Sequence, residues 1–241
     1  MSNQPEVIYL KDYQVPGYLV KSVSLEFQLH ETHTRVKSQL AMAPNPKAAE
    51  NQPVVLHGHP DVTLVSVRCE GESLTSSDYS RDGELLSLPA QSSDFVLDIE
   101  VDIDPAANTA LEGLYQSDGM YCTQCEAEGF RRITFFPDRP DVMTSFTTII
   151  EADAEKYPVL LSNGNLVSSE VLSSGRKRVT WVDPHLKPAY LFALVAGDLA
   201  KIEDTFVTMS GRKVALEIFA ERKDLDKLDH AMASLKHAMK R

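Results

Sequence analysis

Short apolar–polar alternations, cut at near-regular intervals by turn residues, run through residues 18–220 and leave little choice of fold. Side chains of an extended chain point to alternate faces, so such a run can bury one face of a strand. Residues 18–29 set Val20, Val23, Leu25, Phe27 and Leu29 against polar partners, with one slip near Ser22. Residues 34–42, 62–69, 84–88 and 95–103 repeat the pattern. Asp82-Gly83 marks a hairpin, because Gly supplies the positive φ of a tight turn. The second half predicts strands at 144–151, 178–182 and 189–195, and hairpins 159–172 around Ser162-Asn163-Gly164-Asn165 and 202–220 around Ser210-Gly211. Strands so short and so evenly punctuated predict a mainly β fold of packed antiparallel sheets or a β-sandwich.

Only the tail changes period. After Asp224, a good N-cap, Leu225, Leu228, Met232, Leu235 and Met239 recur at three and four residues, one face of an amphipathic helix. No Gly or Pro closes that helix before Arg241, and no segment stands out as its packing partner. The expected organisation is one composite β domain over residues 1–222 and the start of a linking helix over 223–241. A helix docked back on its own sheet is the alternative. Residues 104–119 are expected to be irregular, and 44–53 a surface loop.

Composition excludes some partners. A formal net charge of -11 leaves no basic stripe to neutralise phosphates, so nucleic acid is not expected. Residues 1–6 have neither the basic nor the apolar region of a secretory signal, and no apolar run approaches bilayer-spanning length. Three cysteines, few and odd in number, point to the reducing cytoplasm.

Most chemical motifs lack their partners. A structural zinc wants four ligands, and Cys122-x-x-Cys125 has only the solitary Cys69 to join it, so ordinary thiols are expected. His57-Gly-His59 reads as a loop, and no His-Glu-x-x-His occurs. No Gly-x-Ser-x-Gly elbow and no glycine-rich phosphate loop is present. The densest polar chemistry lies in residues 121–141, YCTQCEAEGFRRITFFPDRPD. On an extended segment Gln124, Glu126 and Glu128 would share one face. A carboxylate beside an amide can trap a cation, with a charge-assisted hydrogen bond worth ~1.5–3 kcal/mol. Arg131 and Arg132 are expected to pair with nearby acids and hold the loop.

That segment, with residues 105–117, 156–165, 187–198 and 210–219, resembles the N-terminal domain of the bacterial aminopeptidase N family over nearly the whole chain. The resemblance implies a saddle-like β domain from a zinc aminopeptidase that removes N-terminal residues from peptides. It implies that Glu126 binds the free α-ammonium of the substrate, that Gln124 lines the pocket for the first side chain, and that Arg131 and Asp138 are framework positions. The family's metal motif, its third ligand and its Gly-Ala-Met-Glu-Asn motif belong to a following catalytic domain. This chain is therefore expected to carry no catalytic or metal-binding residue, to bind no zinc itself, to be inactive alone, and to partner its own catalytic domain and peptide substrates. The competing reading is a free-standing, non-catalytic β interaction module of the same ancestry, using the apolar stripe of the last helix.

Overall fold

A computed structural model describes residues 9–240 of the protein; the expectations on residues 1–6 and on Arg241 lie outside the described residues. The first half forms β1 (Tyr18–Leu29), β2 (Thr34–Pro44), β3 (Val54–His57), β4 (Thr63–Cys69), β5 (Glu72–Ser73), β6 (Ser80–Asp82), β7 (Leu85–Leu88) and β8 (Phe95–Ile103). The second forms β9 (Gly113–Ser117), β10 (Met120–Gln124), β11 (Thr144–Asp153), β12 (Val159–Ser162), β13 (Asn165–Val171), β14 (Arg176–Lys187), β15 (Leu194–Gly197), β16 (Ala200–Val207) and β17 (Lys213–Ala220). One α-helix, α1 (Asp229–Ala238), follows.

An eight-stranded sheet in the order β13-β14-β11-β1-β2-β8-β4-β5 is the backbone of the fold. Its ladders are antiparallel except β1–β11, which runs parallel with Ser22 opposite Ser145. In β8 the buried Phe95, Leu97, Ile99, Val101 and Ile103 alternate with the half-buried Val96, Asp98, Glu100 and Asp102, so period two decides which face is core. The slip near Ser22 is a register shift between Val20 and Ser22. The other face is laced by charges: Glu26 takes Arg178 at 3.2 Å and Lys37 at 3.6 Å, and Glu151 takes Arg176 at 2.6 Å. Cross-strand pairs of this kind keep a wide sheet in register.

Against the apolar face lie two smaller sheets, β12-β15-β10-β9 and β3-β7-β6. Their shared core includes an aromatic cluster in which Phe130 packs edge-on to Phe136, Phe146 and Phe192, with ring centroids 5.2–6.2 Å apart. Such contacts add roughly 0.5–1.5 kcal/mol each beyond burial.

Four local expectations are corrected. The turn at 162–165 forms, but its flanking strands do not pair: β12 joins β15 while β13 joins β14, in different sheets. β12 buries Leu160 whereas every residue of β13 is exposed, so the two strands leave the turn for different layers. Residues 189–195 are not one strand; a 3₁₀ turn at Ala189–Leu191 precedes β15, because Phe192 must turn into the aromatic core. The stretch expected to be irregular at 104–119 contains β9, which pairs with β10 through Asp118-Gly119, both at positive φ. Asp224 does not cap the last helix: it sits inside a 3₁₀ segment, Arg222–Lys227, and bonds Lys227.

The C-terminal stripe also finds a partner. Among the described residues β16 and β17 pair only with each other, and α1 packs on β17 with Met232 and Leu216 buried and Lys236 bonded to Asp204. The helix thus docks back on the hairpin that precedes it. Among the described residues no helix is long and apolar enough to cross a membrane.

Candidate functional site

The segment 121–141 reads as a continuous strand only to Gln124, where β10 ends. Residues 126–128 then turn, through a cis peptide between Glu126 and Ala127, into the 3₁₀ turn Gly129–Arg132. The extended geometry expected to align Gln124, Glu126 and Glu128 therefore does not exist. Two close approaches shape the turn. A Cβ on Gly129 would sit 2.5 Å from the Gln124 carbonyl oxygen, and one on Gly113 2.7 Å from Arg132 Cβ. Bare backbone at both positions lets β9, the end of β10 and the 3₁₀ turn meet.

Buried groups on either side hold this turn. Phe130 is fully buried in the aromatic core, directly before the two arginines. Asp138, 3% exposed, accepts from the Arg131 backbone N–H at 3.1 Å and from Nε at 3.2 Å. Burial pushes the Asp138 carboxyl pKa up, against the pull of Arg131. His57 supports Asp138 from β3: its Nδ1 accepts the Asp138 N–H at 3.2 Å, and its backbone pairs with Phe136 in both directions. Since the amide must donate, the ring proton resides on Nε2. His57 is thus a strand-end residue packed beneath the segment, rather than part of a free loop, and burial together with Arg131 lowers its pKa.

Glu126, Ala127 and Glu128 open onto a depression of about 470 Å³, completed by Glu112, Pro140 and Tyr190. Tyr190 arrives on the 3₁₀ turn after β14. The end of that strand is fixed by Lys187, bonded to Asp183 at 2.8 Å and seated 4.0 Å over the Phe146 ring; burial lowers the lysine's pKa. Two of the three carboxylates have cations. Glu128 pairs with Arg131 at 3.2 Å and Glu112 with Arg132 at 3.1 Å, while Arg132 also reaches Asp61 at 3.4 Å. Glu126 has no ion pair among the described residues, and it is exposed. Gln124 lies beside it, its amide donating to the Glu126 carbonyl at 3.4 Å, and does not line the depression.

The sequence thus points to Glu126 and Gln124 as site residues and to the two arginines as loop supports, of which Glu126 alone lines the depression, and it misses Glu112, Tyr190, Asp61 and the supporting role of His57. Glu112 and Tyr190 lie in segments that carried the family resemblance, which was the only sequence signal for them.

Cys125 is buried and Cys122 and Cys69 half-buried, all as free thiols. Burial raises the pKa of each, the opposite of a reactive or metal-binding cysteine. Among the described residues no group of three or more His, Cys, Asp or Glu side chains could hold a metal ion. The described residues do not fit a zinc centre.

A mainly β domain with an acidic hollow on its rim is the class that fold and site define. Residues 13–191 match the family model described as the Peptidase M1 N-terminal domain, and the chain belongs to the M1 peptidase family. It is 47% identical to aminopeptidase N of Caulobacter vibrioides over 239 residues, 99% of this chain and 27% of the relative. Against aminopeptidase N of Escherichia coli it is 48% identical over 241 residues, again 27% of the relative. The chain thus spans about a quarter of the length of the curated relatives it matches. Legionella pneumophila aminopeptidase A, solved in complex with aspartic acid, superposes with a TM-score of 0.90 at 36% identity, covering 95% of this chain and 27% of that one. An M1 zinc metallopeptidase from Deinococcus radiodurans shares the fold at a TM-score of 0.71 and 15% identity, over 87% of this chain and 49% of its own.

Proposed function

We propose that this chain is the substrate-anchoring domain of a zinc-dependent aminopeptidase acting on peptides in the cytoplasm, with Glu126 receiving the substrate's free α-ammonium. The observation that carries the reading is the charge arrangement of the depression: Glu112 and Glu128 each face an arginine, and Glu126, without an ion pair among the described residues, is left to meet an incoming cation. An enzyme that cuts after the first residue must fix a positive amine at a set distance from its reacting groups, and a positioned carboxylate supplies both specificity and orientation. Gln124, beside the depression, acts by bracing the Glu126 backbone with its amide. In this reading zinc and the hydrolytic residues belong to a catalytic domain outside these residues, and the chain does not hydrolyse peptides by itself.

The test is Glu126→Ala in the complete protein, compared on a free aminoacyl substrate. A charge-assisted hydrogen bond of ~1.5–3 kcal/mol corresponds to a ten- to hundredfold fall in kcat/KM, with Glu126→Gln intermediate. An unchanged kcat/KM overturns the anchoring role.

A further inference from the structure

We infer that Arg132 is a specificity-determining residue, which sets the charge preference for the substrate's first side chain by neutralising Glu112. This rests on the anchoring reading of Glu126. Glu112 opens onto the same depression as Glu126 and is half-exposed, so without a partner it would be a second free carboxylate beside the incoming residue. Its partner is built in. Arg132 Nε lies 3.1 Å from Glu112 Oε2, and the arginine side chain is only 19% exposed. The other end of the guanidinium is fastened: Nη1 lies 3.4 Å from Asp61 Oδ2 and 3.3 Å from His59 Nδ1. The backbone below is fixed by Phe130 in the core and runs so close to Gly113 that a Cβ there would sit 2.7 Å from Arg132 Cβ. Glu112 is placed with equal care, its carbonyl accepting from the Asn108 amide at 2.7 Å.

This arrangement separates two tasks. Glu126 meets the α-ammonium that every peptide substrate carries. Glu112, held by Arg132, does not bias the choice of side chain, so neutral and basic first residues are admitted on similar terms. Breaking the pair in one direction or the other shifts that balance with opposite sign. Removing the arginine frees an anion that favours a basic first side chain. Removing the glutamate leaves the Arg132 charge without that partner beside the depression, which disfavours one.

The experiment compares kcat/KM for Lys-first and Ala-first aminoacyl anilides in the complete protein at low salt. Arg132→Gln raises the Lys/Ala ratio about fivefold, the scale of one partly exposed ion pair, and 0.5 M salt shrinks the change because such pairs are screened. Glu112→Gln lowers the ratio by a similar factor. Arg132→Lys keeps the charge and stays near the parent ratio, and the Arg132→Gln/Glu112→Gln double variant returns toward it. A purely structural role would depress both substrates alike and leave every ratio unmoved, and that result overturns the inference. Should Arg132→Gln fail to fold, Glu112→Gln still decides: a ratio that does not fall refutes it. Glu126→Ala separates the two readings. If that variant is silent, the anchoring reading fails; if it impairs both substrates while the ratios of the other variants stay fixed, only the inference about Arg132 fails.

Discussion

Asp138 Oδ2 accepts both the backbone N–H and the Nε–H of Arg131, at 3.1 and 3.2 Å, from a side chain 2% exposed to solvent. One buried carboxylate therefore fixes the main chain and the guanidinium of the same residue. Through Arg131 it also orients Glu128, at the edge of the acidic depression.

Asp138→Ala should cost about 2–3 kcal/mol in chemical denaturation. Loss of one partner from a buried pair strands the other charge, and breaking such pairs costs ~3–5 kcal/mol. The expected cost falls at or below the low end of that range because Arg131 keeps Glu84 and Glu128 as partners. A loss below about 1 kcal/mol would show that the pair does not hold the segment.

Gly129→Ala should destabilise by about 2–3 kcal/mol, since its Cβ would meet the Gln124 carbonyl, a backbone atom unable to swing aside. Gly175→Ala makes the comparison: its φ is +81° with nothing within 4 Å of the new Cβ, so only ~1 kcal/mol of backbone strain is expected. Equal losses in thermal melts would mean that crowding at the end of β10 is not the cause.

Stability should fall as pH drops from 7 toward 5, in part through His57. Its pKa is lowered in the folded state by burial first and Arg131 second, with Asp138 and Glu128 opposing. The unfolded chain then binds more protons below the ordinary histidine pKa of about 6.5, so protonation favours unfolding and stability is lost as pH falls through the folded value. His30 is shifted the same way, so the observable is a difference. The melting temperature of His57→Gln should depend less on pH between 5 and 7 than that of the parent, and parallel curves would rule His57 out.

Thiol labelling should leave Cys125 unmodified in the native protein and modify it only on unfolding, with Cys122 and Cys69 reacting slowly. Burial raises all three pKa values and shields Cys125 most. Rapid native labelling of Cys125 would contradict its placement in the core.

Much of the fold was legible because period two is a local property. Residues 18–29 and 95–103 alternate in sequence as they alternate in burial, and both are strands with those bounds. The helix at the tail was legible from its 3.6 period, though its first turn was not. Family membership was carried by ordered segments, including the one holding Glu126.

What the sequence could not decide was which elements would meet. Nothing local sends β12 and β13 to different sheets on leaving one turn, or lays β11 parallel to β1 across more than a hundred residues. The depression is a product of such meetings. Glu112 comes from before β9, Glu126 and Glu128 from the turn after β10, and Tyr190 from the turn after β14. Alternation fixes the face on which a side chain lies, since that depends on neighbours along the chain. Which carboxylate keeps a free charge depends on neighbours in space: Arg131 and Arg132 neutralise Glu128 and Glu112, and only the packing of distant segments leaves Glu126 without a cation among the described residues.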